Sequence, residues 1–402
     1  MILSEAQKIL ADILGPATYD DFFDLIAAEK PLVLLGSSNQ RRAQLAGLDP
    51  KAALLSGFAK YAQNLTCHIQ KATVPPPEAK AVESAEAFAA LIREFHQRDY
   101  TVRFPDVTEL SPELSKFTRA LEFVFQNPAG VVVFWSEGGA KAPVHHDEVD
   151  VIVIQLVGTK RWFISDATPT LPNQWRGLGE TSAVMNSFKT YDVQPGDLLY
   201  LPRGTVHTVE SISESIHLSI GFVPVTQRDA IIAALDLLSD LDKPLRSNLA
   251  PRADHLATGQ SAAQIHMQIR QGVEKLKQIC QSNLFIRDAL NFRRSRMIQQ
   301  LPKLPVHAMQ NINSVHTKVR HNPLAIAGLF ATDDILDFRQ PGQQHLIHLG
   351  AEASVRFILS RQEFSVSEIP GDVSDDVRIA LVNKMLAGGY LEAVSYTHLR
   401  AH

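Results

Sequence analysis

The sequence predicts an α+β protein whose core is an antiparallel β-sandwich or small barrel with helices on either side of it in the chain. Two observations carry this reading. Between residues 130 and 224, short β-branched runs (VVVFW, VDVIVIQL, KRWFIS, YDV, DLLYLP and SIHLSIGF) are separated by Gly, Pro, Asn and Asp, a spacing of strands joined by turns and not of βαβ units. Before and after that core, apolar residues recur with helical period.

Taken in order, MILSEAQKILADIL sets Glu5, Lys8 and Asp12 within its apolar pattern, which makes it an amphipathic helix and not a secretory leader. Thr18-Tyr19-Asp20-Asp21 gives a polar start to a second helix through Phe22, Phe23 and Leu25. KPLVLLG, closed by Gly36, is a strand candidate, and VPPPEAK (74–80) is a break before the helical AFAALIREFHQ. A further helix over residues 112–127 leads into AGVVVFWS and the strands. Several of these strands are apolar on both faces, as expected of strands covered on both sides.

At Thr226-Gln227-Arg228-Asp229 the pattern changes to a capped helix, IIAALDLLSDL. Helical spacing then dominates to about residue 300, most clearly in QIHMQIRQGVEKLKQIC. Residues 301–394 end in VRIALVNKMLAGGYLEAV, a helix closed by Gly-Gly and followed by a short strand, the order of a helix and its wing. The expected division is a first domain over 1–225, a helical region over 226–300, a winged-helix-like domain over 301–394, and a tail, SYTHLRAH (395–402), that takes no part in the fold.

Composition narrows the function. Of 402 residues, 45% are hydrophobic and 20% charged, there is no low-complexity tract or internal repeat, and the net charge is −4. Such a mild balance, with near-cancelling charges in the last segment, argues against a nucleic-acid partner. The only two cysteines, Cys67 and Cys280, lie far apart in sequence, which fits a reducing compartment. No apolar run reaches the ~18 residues of a spanning helix, and the expected location is the cytoplasm.

The chemistry concentrates in VHHDEVDVIVIQLVGTKRWFI (144–164). On a strand, residues two apart share a face, so His145 would pair with Asp147, or His146 with Glu148. Either pair supplies two ligands of a facial triad, the arrangement that leaves positions open on Fe(II). The third ligand is sought in QPGDLLYLPRGTVHTVES, where His207 opens a strand after a Pro-Arg-Gly turn. A single His-x-Asp is common by chance; it is the combination with this second segment that gives it weight.

These two segments, HxDxxDVxxxQxxGxKxW from His145 to Trp162 and PGDxxYxPxGxxH from Pro195 to His207, resemble the JmjC-type cupins, and among them the ribosomal oxygenases. The resemblance implies a double-stranded β-helix, a cupin/JmjC jelly roll, with N-terminal helices, a helical dimerisation region and a C-terminal winged helix. It selects His145 and Asp147 over His146 and Glu148, completes the metal set with His207, and places Lys160 where the family binds the distal carboxylate of 2-oxoglutarate. Ser136 falls on a family hydroxyl that contacts the same carboxylate. Ser215, His217 and Ser219 alternate along one face of SIHLSIGF; either they line the cavity, with Ile216, Leu218 and Ile220 packing outward, or His217 is a satisfied interior histidine, and it is not counted as a ligand.

The implied activity is an Fe(II)- and 2-oxoglutarate-dependent dioxygenase that hydroxylates an arginine or histidine of a ribosomal protein, acting as a homodimer. Three rivals are a 2-oxoglutarate oxygenase of a non-ribosomal substrate, a metal cupin of another class such as an isomerase or a 2-oxoglutarate-independent dioxygenase, and a binding module with an inactive cupin. Intact ligands and Lys160 count against the last two.

Overall fold

The computed structural model describes residues 1–36, 39–69, 72–74, 82–172, 183–248, 262–305, 311–332 and 334–394. Most of the Pro-rich break at 74–80 and the whole tail at 395–402 lie outside the described residues. The chain divides into two compact units, Met1–Pro224 and Val225–His402.

Among its described residues the first unit has eleven strands: β1 (Leu32–Leu34), β2 (Thr66–Ile69), β3 (Ala72–Val74), β4 (Thr101–Phe104), β5 (Gly130–Ser136), β6 (Asp150–Val157), β7 (Lys160–Ser165), β8 (Phe188–Val193), β9 (Leu198–Leu201), β10 (His207–Ser211) and β11 (Ser215–Phe222). Eight form one sheet in the order β1-β9-β6-β11-β5-β4-β2-β3, and three form a second in the order β10-β7-β8. All pairings are antiparallel, so the sandwich expected from the alternation of strands and turns is what forms.

β6 shows why its sequence reads as apolar throughout. Val151 and Val153 face the second sheet, in a cluster with Trp162, Ile164, Val193, Leu199 and Leu201. The opposite face meets the helices. There Phe22, from the helix Tyr19–Ala27, lies 5.0 Å from Tyr200 of β9, and Phe125, closing the helix Pro112–Phe125, stacks 4.5 Å from Phe222 of β11. Burying each such side chain contributes roughly 1.5–3 kcal/mol. Ile216, Leu218 and Ile220, expected to pack away from the cavity, are fully buried on this helix side of β11. Both expected polar helix starts form capping boxes, Thr18 with Asp21 and Thr226 with Asp229.

The Pro-Gly-Asp turn anchors the N-terminal segment to this sandwich. Buried Asp197 accepts the N–H of Gly36 at 2.9 Å and that of Gln194 at 2.8 Å, while Gly196 gives its carbonyl to the fully buried Arg42 at 2.7 Å. Arg42 also donates to the carbonyls of Ile13 and Gly15. β4 and the β2–β3 hairpin had no counterpart in the sequence reading; each is only three or four residues long.

The second unit packs the helix Gln227–Leu241 against the helix Asn283–Gln300 through Ala233, Ala234, Leu237, Leu238, Phe285 and Ala289. The latter helix also lies on β13 (Gly328–Ala331) and β14 (Ile335–Gln340). The residues assigned to a helical region and to a terminal domain therefore share one compact unit. The terminal segment carries two three-stranded sheets: β16 (Glu363–Ser365), β12 (Lys318–His321) and β17 (Leu391–Ala393) in one, and β13, β14 and β15 (Gln343–His348) in the other. The helix Asp375–Ala387, Gly388-Gly389 and β17 do stand in the predicted helix-then-strand order. The sheet β13-β14-β15 has no place in a helix and a single wing.

Candidate metal centre and anion pocket

His145, Asp147 and His207 come together: one ligand atom from each lies within 4.8 Å of the others. The route differs from the strand argument. β6 begins only at Asp150, so His145 and Asp147 sit in the preceding loop, where period-two alternation does not apply. His145, His146, Asp147 and Glu148 all precede the strand, and only the carboxylate of Asp150 belongs to it. His145 instead forms an isolated antiparallel bridge with His207, N–H to carbonyl in both directions at 3.0 and 2.8 Å. The Asp147 carbonyl accepts the N–H of Gly204 at 2.8 Å.

Both imidazoles are held in the same way. Nδ1 of His145 faces the carbonyl of Pro143 at 2.8 Å, and Nδ1 of His207 faces that of Thr205 at 2.9 Å. A carbonyl can only accept, so each Nδ1 carries the proton and each Nε2 keeps its lone pair for a metal. Nε2 of His207 stands 3.7 Å from Oδ2 of Asp147. Burial first, and then the neighbouring His145, push the pKa of His207 down to about 4. A neutral ring is what ligation requires. His146 is half-buried and Glu148 exposed, and neither joins the cluster.

Lys160 opens β7, directly after the turn at Gly158. It is 2% exposed, its Nζ donates to Ser136 Oγ at 3.1 Å, and burial lowers its pKa to about 7. No carboxylate is paired with it among the described residues. An ammonium in that position costs several kcal/mol unless an anion joins it. Ser136 Oγ also takes a hydrogen bond from Thr101 Oγ1 at 3.1 Å. Antiparallel register adds two more hydroxyls, Ser211 opposite Lys160 and Ser215 opposite Ser136, 3.2 Å apart.

Between these ends of the interior lie Trp162 and His217. Trp162 stacks on the His207 ring at 5.6 Å and meets His217 edge-on at 5.7 Å; Phe134 stacks on His217 at 5.1 Å. Burial, then Lys160 and His207, keep His217 neutral by driving its pKa well down. Trp162 Nε1, His217 Nδ1 and Oε1 of Gln155, which is the cross-strand partner of His217, are all buried without a partner among the described residues. Orphaned polar atoms of this kind are rare in a dry core. Those of Trp162 and His217 lie in an interior with ligands at one end and a cation at the other, which is the chemistry of a site for a chelating anion. The structure brings together Ser136, Lys160, Ser215 and His217, which the sequence reading named; Gln155 and Trp162 lie on its motif without a role assigned, and Thr101 and Ser211 it did not find.

With this geometry in view, comparison with known proteins shows what the chain resembles. The JmjC domain family matches residues 108–230. Ribosomal oxygenase 2 of Rattus norvegicus is 28% identical over 218 residues, which cover 52% of this chain and 46% of that one. A bifunctional lysine-specific demethylase and histidyl-hydroxylase, NO66, of Dictyostelium discoideum is 25% identical over 228 residues, 54% of this chain and 43% of that one. The match thus spans less than half the length of either relative. The fold is that of the Escherichia coli ribosomal oxygenase YcfD, whose crystal structure aligns over 94% of this chain and 98% of its own with a TM-score of 0.54 at 16% identity. A structure of YcfD in complex with cobalt and 2-oxoglutarate aligns over 93% and 98% with a TM-score of 0.50 at 14% identity. Residues 108–230 match the JmjC domain family, and around them the chain is similar to ribosomal oxygenases, whose fold it shares.

Proposed function

We propose that the chain is an Fe(II)- and 2-oxoglutarate-dependent dioxygenase that hydroxylates a protein side chain. The observation that carries this is the pairing, within one buried interior, of the His145-Asp147-His207 cluster with the unpaired cation of Lys160. The binding of cobalt and 2-oxoglutarate by YcfD supports the same reading. His145, Asp147 and His207 would hold the metal, and Lys160 with Ser136 the distal carboxylate. Bound there, iron would let O₂ serve as the oxidant: one oxygen atom would enter succinate as 2-oxoglutarate is oxidised and loses carbon dioxide, and the other would be inserted into a C–H bond of the substrate.

The chain's own residues supply the rest. Nδ1 protons donated to Pro143 and Thr205 fix both imidazoles as neutral ligands. Trp162 and Phe134 wall the interior and exclude water around His217. The relatives favour a ribosomal protein as substrate, at an arginine or a histidine. We further propose a homodimer through the second unit, where Ile231, Leu235 and Leu241 of one helix and Met267, Ile269 and Val273 of another leave large apolar side chains exposed.

An anaerobic titration of the apo-protein with Fe(II) and 2-oxoglutarate tests the central claim. The expected result is the visible charge-transfer band of the chelated complex; iron binding without that band would sink the 2-oxoglutarate assignment. Ribosomal-protein peptides would then be screened by mass spectrometry for a gain of one oxygen.

A further inference from the structure

The metal cluster is assembled from two separate backbone segments, the loop at 145–147 and the turn at 202–207, and three of the contacts among the described residues hold them in register at the ligands themselves. Two are backbone contacts: the His145–His207 bridge and the Gly204 N–H to Asp147 carbonyl bond. The third is made by side chains. Asp150, the first residue of β6, is 3% exposed, and its carboxylate accepts from Tyr200 Oη at 2.8 Å and from Arg203 Nη1 at 3.2 Å. Arg203 lies in the Pro202-Arg203-Gly204 turn, next to the glycine that grips Asp147 and four residues before His207. Gly204 has φ +82°, and a Cβ there would sit 2.7 Å from Thr170 Oγ1, so the turn has little freedom to shift.

We propose that the Asp150–Arg203 pair is a positioning device for the metal centre: it ties the turn that carries His207 to the strand that follows Asp147, and so fixes the separation of the two ligands. The inference rests on reading that triad as a metal centre. A buried carboxylate on a strand is a rigid anchor, and the planar guanidinium transmits its position to the turn better than a single flexible ammonium could. Tyr200 holds the other carboxylate oxygen from within the fully buried β9, so Asp150 itself cannot swing. Neither Asp150 nor Arg203 is a ligand; both act through Asp147 and His207.

The test is Co(II) binding to the full-length apo-protein, followed by titration and by the ligand-field absorption spectrum, with folding checked by circular dichroism. Arg203→Ala is expected to weaken Co(II) binding about tenfold or more and to alter the spectrum. Arg203→Lys, which keeps the charge, should recover part of that affinity. Asp150→Asn is the second variant should Arg203→Ala fail to fold, with the same expectation. Val133→Ala, a core cavity on the helix side of β5, serves as the control and should lower thermal stability without moving the Co(II) affinity. Unchanged affinity and spectrum in Arg203→Ala, or an equal loss in Val133→Ala, would overturn the positioning role. Failure of the unsubstituted chain to bind Co(II) would instead overturn the metal-centre reading, and this inference with it.

Discussion

Lys160 is the residue on which the chemistry and the stability of this protein pull in opposite directions. Its burial lowers its pKa to about 7, so between there and the ordinary lysine value of about 10.4 the folded chain binds fewer protons than the unfolded one. The sign follows: stability rises with pH across that window, because the unfolded state gives up a proton that the folded state has already lost. Lys160→Met should abolish this rise and make the protein more stable at pH 7, by about 1–3 kcal/mol. Urea midpoints at pH 7 and 9 read both effects, and an unchanged pH slope would show that the ammonium is not responsible. Anion binding has the opposite sign. The carboxylate needs the charged form, so 2-oxoglutarate affinity for the metal-loaded protein should be greatest below pH 7 and fall by up to about tenfold per unit above it. In Lys160→Ala the metal should still bind while 2-oxoglutarate affinity is lost; retention of both would leave Lys160 without a role. Asp147→Ala, which removes the carboxylate of the triad, should abolish 2-oxoglutarate turnover outright, and near-normal turnover would mean that another acid is the ligand.

At the scale of elements, the site depends on how turns aim the strands that follow them. Gly158 precedes Lys160 with φ +65°, and a Cβ there would lie 1.9 Å from the carbonyl oxygen of Glu214. Gly36 has nearly the same φ, +64°, but a Cβ there meets nothing within 4 Å. The two glycines separate conformational cost from steric cost. Gly36→Ala should lose about 1–2 kcal/mol for the left-handed backbone alone. Gly158→Ala should lose more, and should weaken 2-oxoglutarate binding because the β7 start must shift away from β11. Equal losses in thermal midpoint would show that the close approach is relieved at no cost. The same scale explains what could be read in advance. His145, Asp147, Lys160 and His207 lie in two short segments with regular spacing, so a motif exposes them. Thr101 and Ser211 become neighbours of Ser136 and Lys160 only through β4–β5 and β7–β10 pairing, and register between distant strands leaves no trace in a single sequence. The strand argument left His145 with Asp147 and His146 with Glu148 both open, and it assumed a geometry the chain does not use: an isolated bridge to His207 aligns His145, not the pleat.

For the whole molecule, the separation into two units sets what each can do. Every residue named in the candidate site lies within Met1–Pro224, whereas the cluster of exposed apolar side chains discussed above belongs to Val225–His402. Within that second unit the helix Gln227–Leu241 buries Ala233, Ala234, Leu237 and Leu238 but leaves Ile231, Leu235 and Leu241 from 41% to 70% exposed. The helix Ala262–Ile279 leaves Met267, Ile269 and Val273 from 52% to 60% exposed. Apolar patches of this kind on a monomer mark an interaction surface, and a chain with only −4 net charge has little electrostatic repulsion to oppose self-association. Light scattering at micromolar concentration should therefore give close to twice the chain mass of 44.4 kDa. Replacing Ile231, Leu235 and Val273 together with Glu should shift the population to monomer, because like charges would then face each other across a two-fold interface. The triad and Lys160 all lie in the other unit, so the monomeric variant should keep Co(II) and 2-oxoglutarate binding. A wild-type monomer would remove the interface, and loss of Co(II) binding in the triple variant would show that the site depends on more than its own unit.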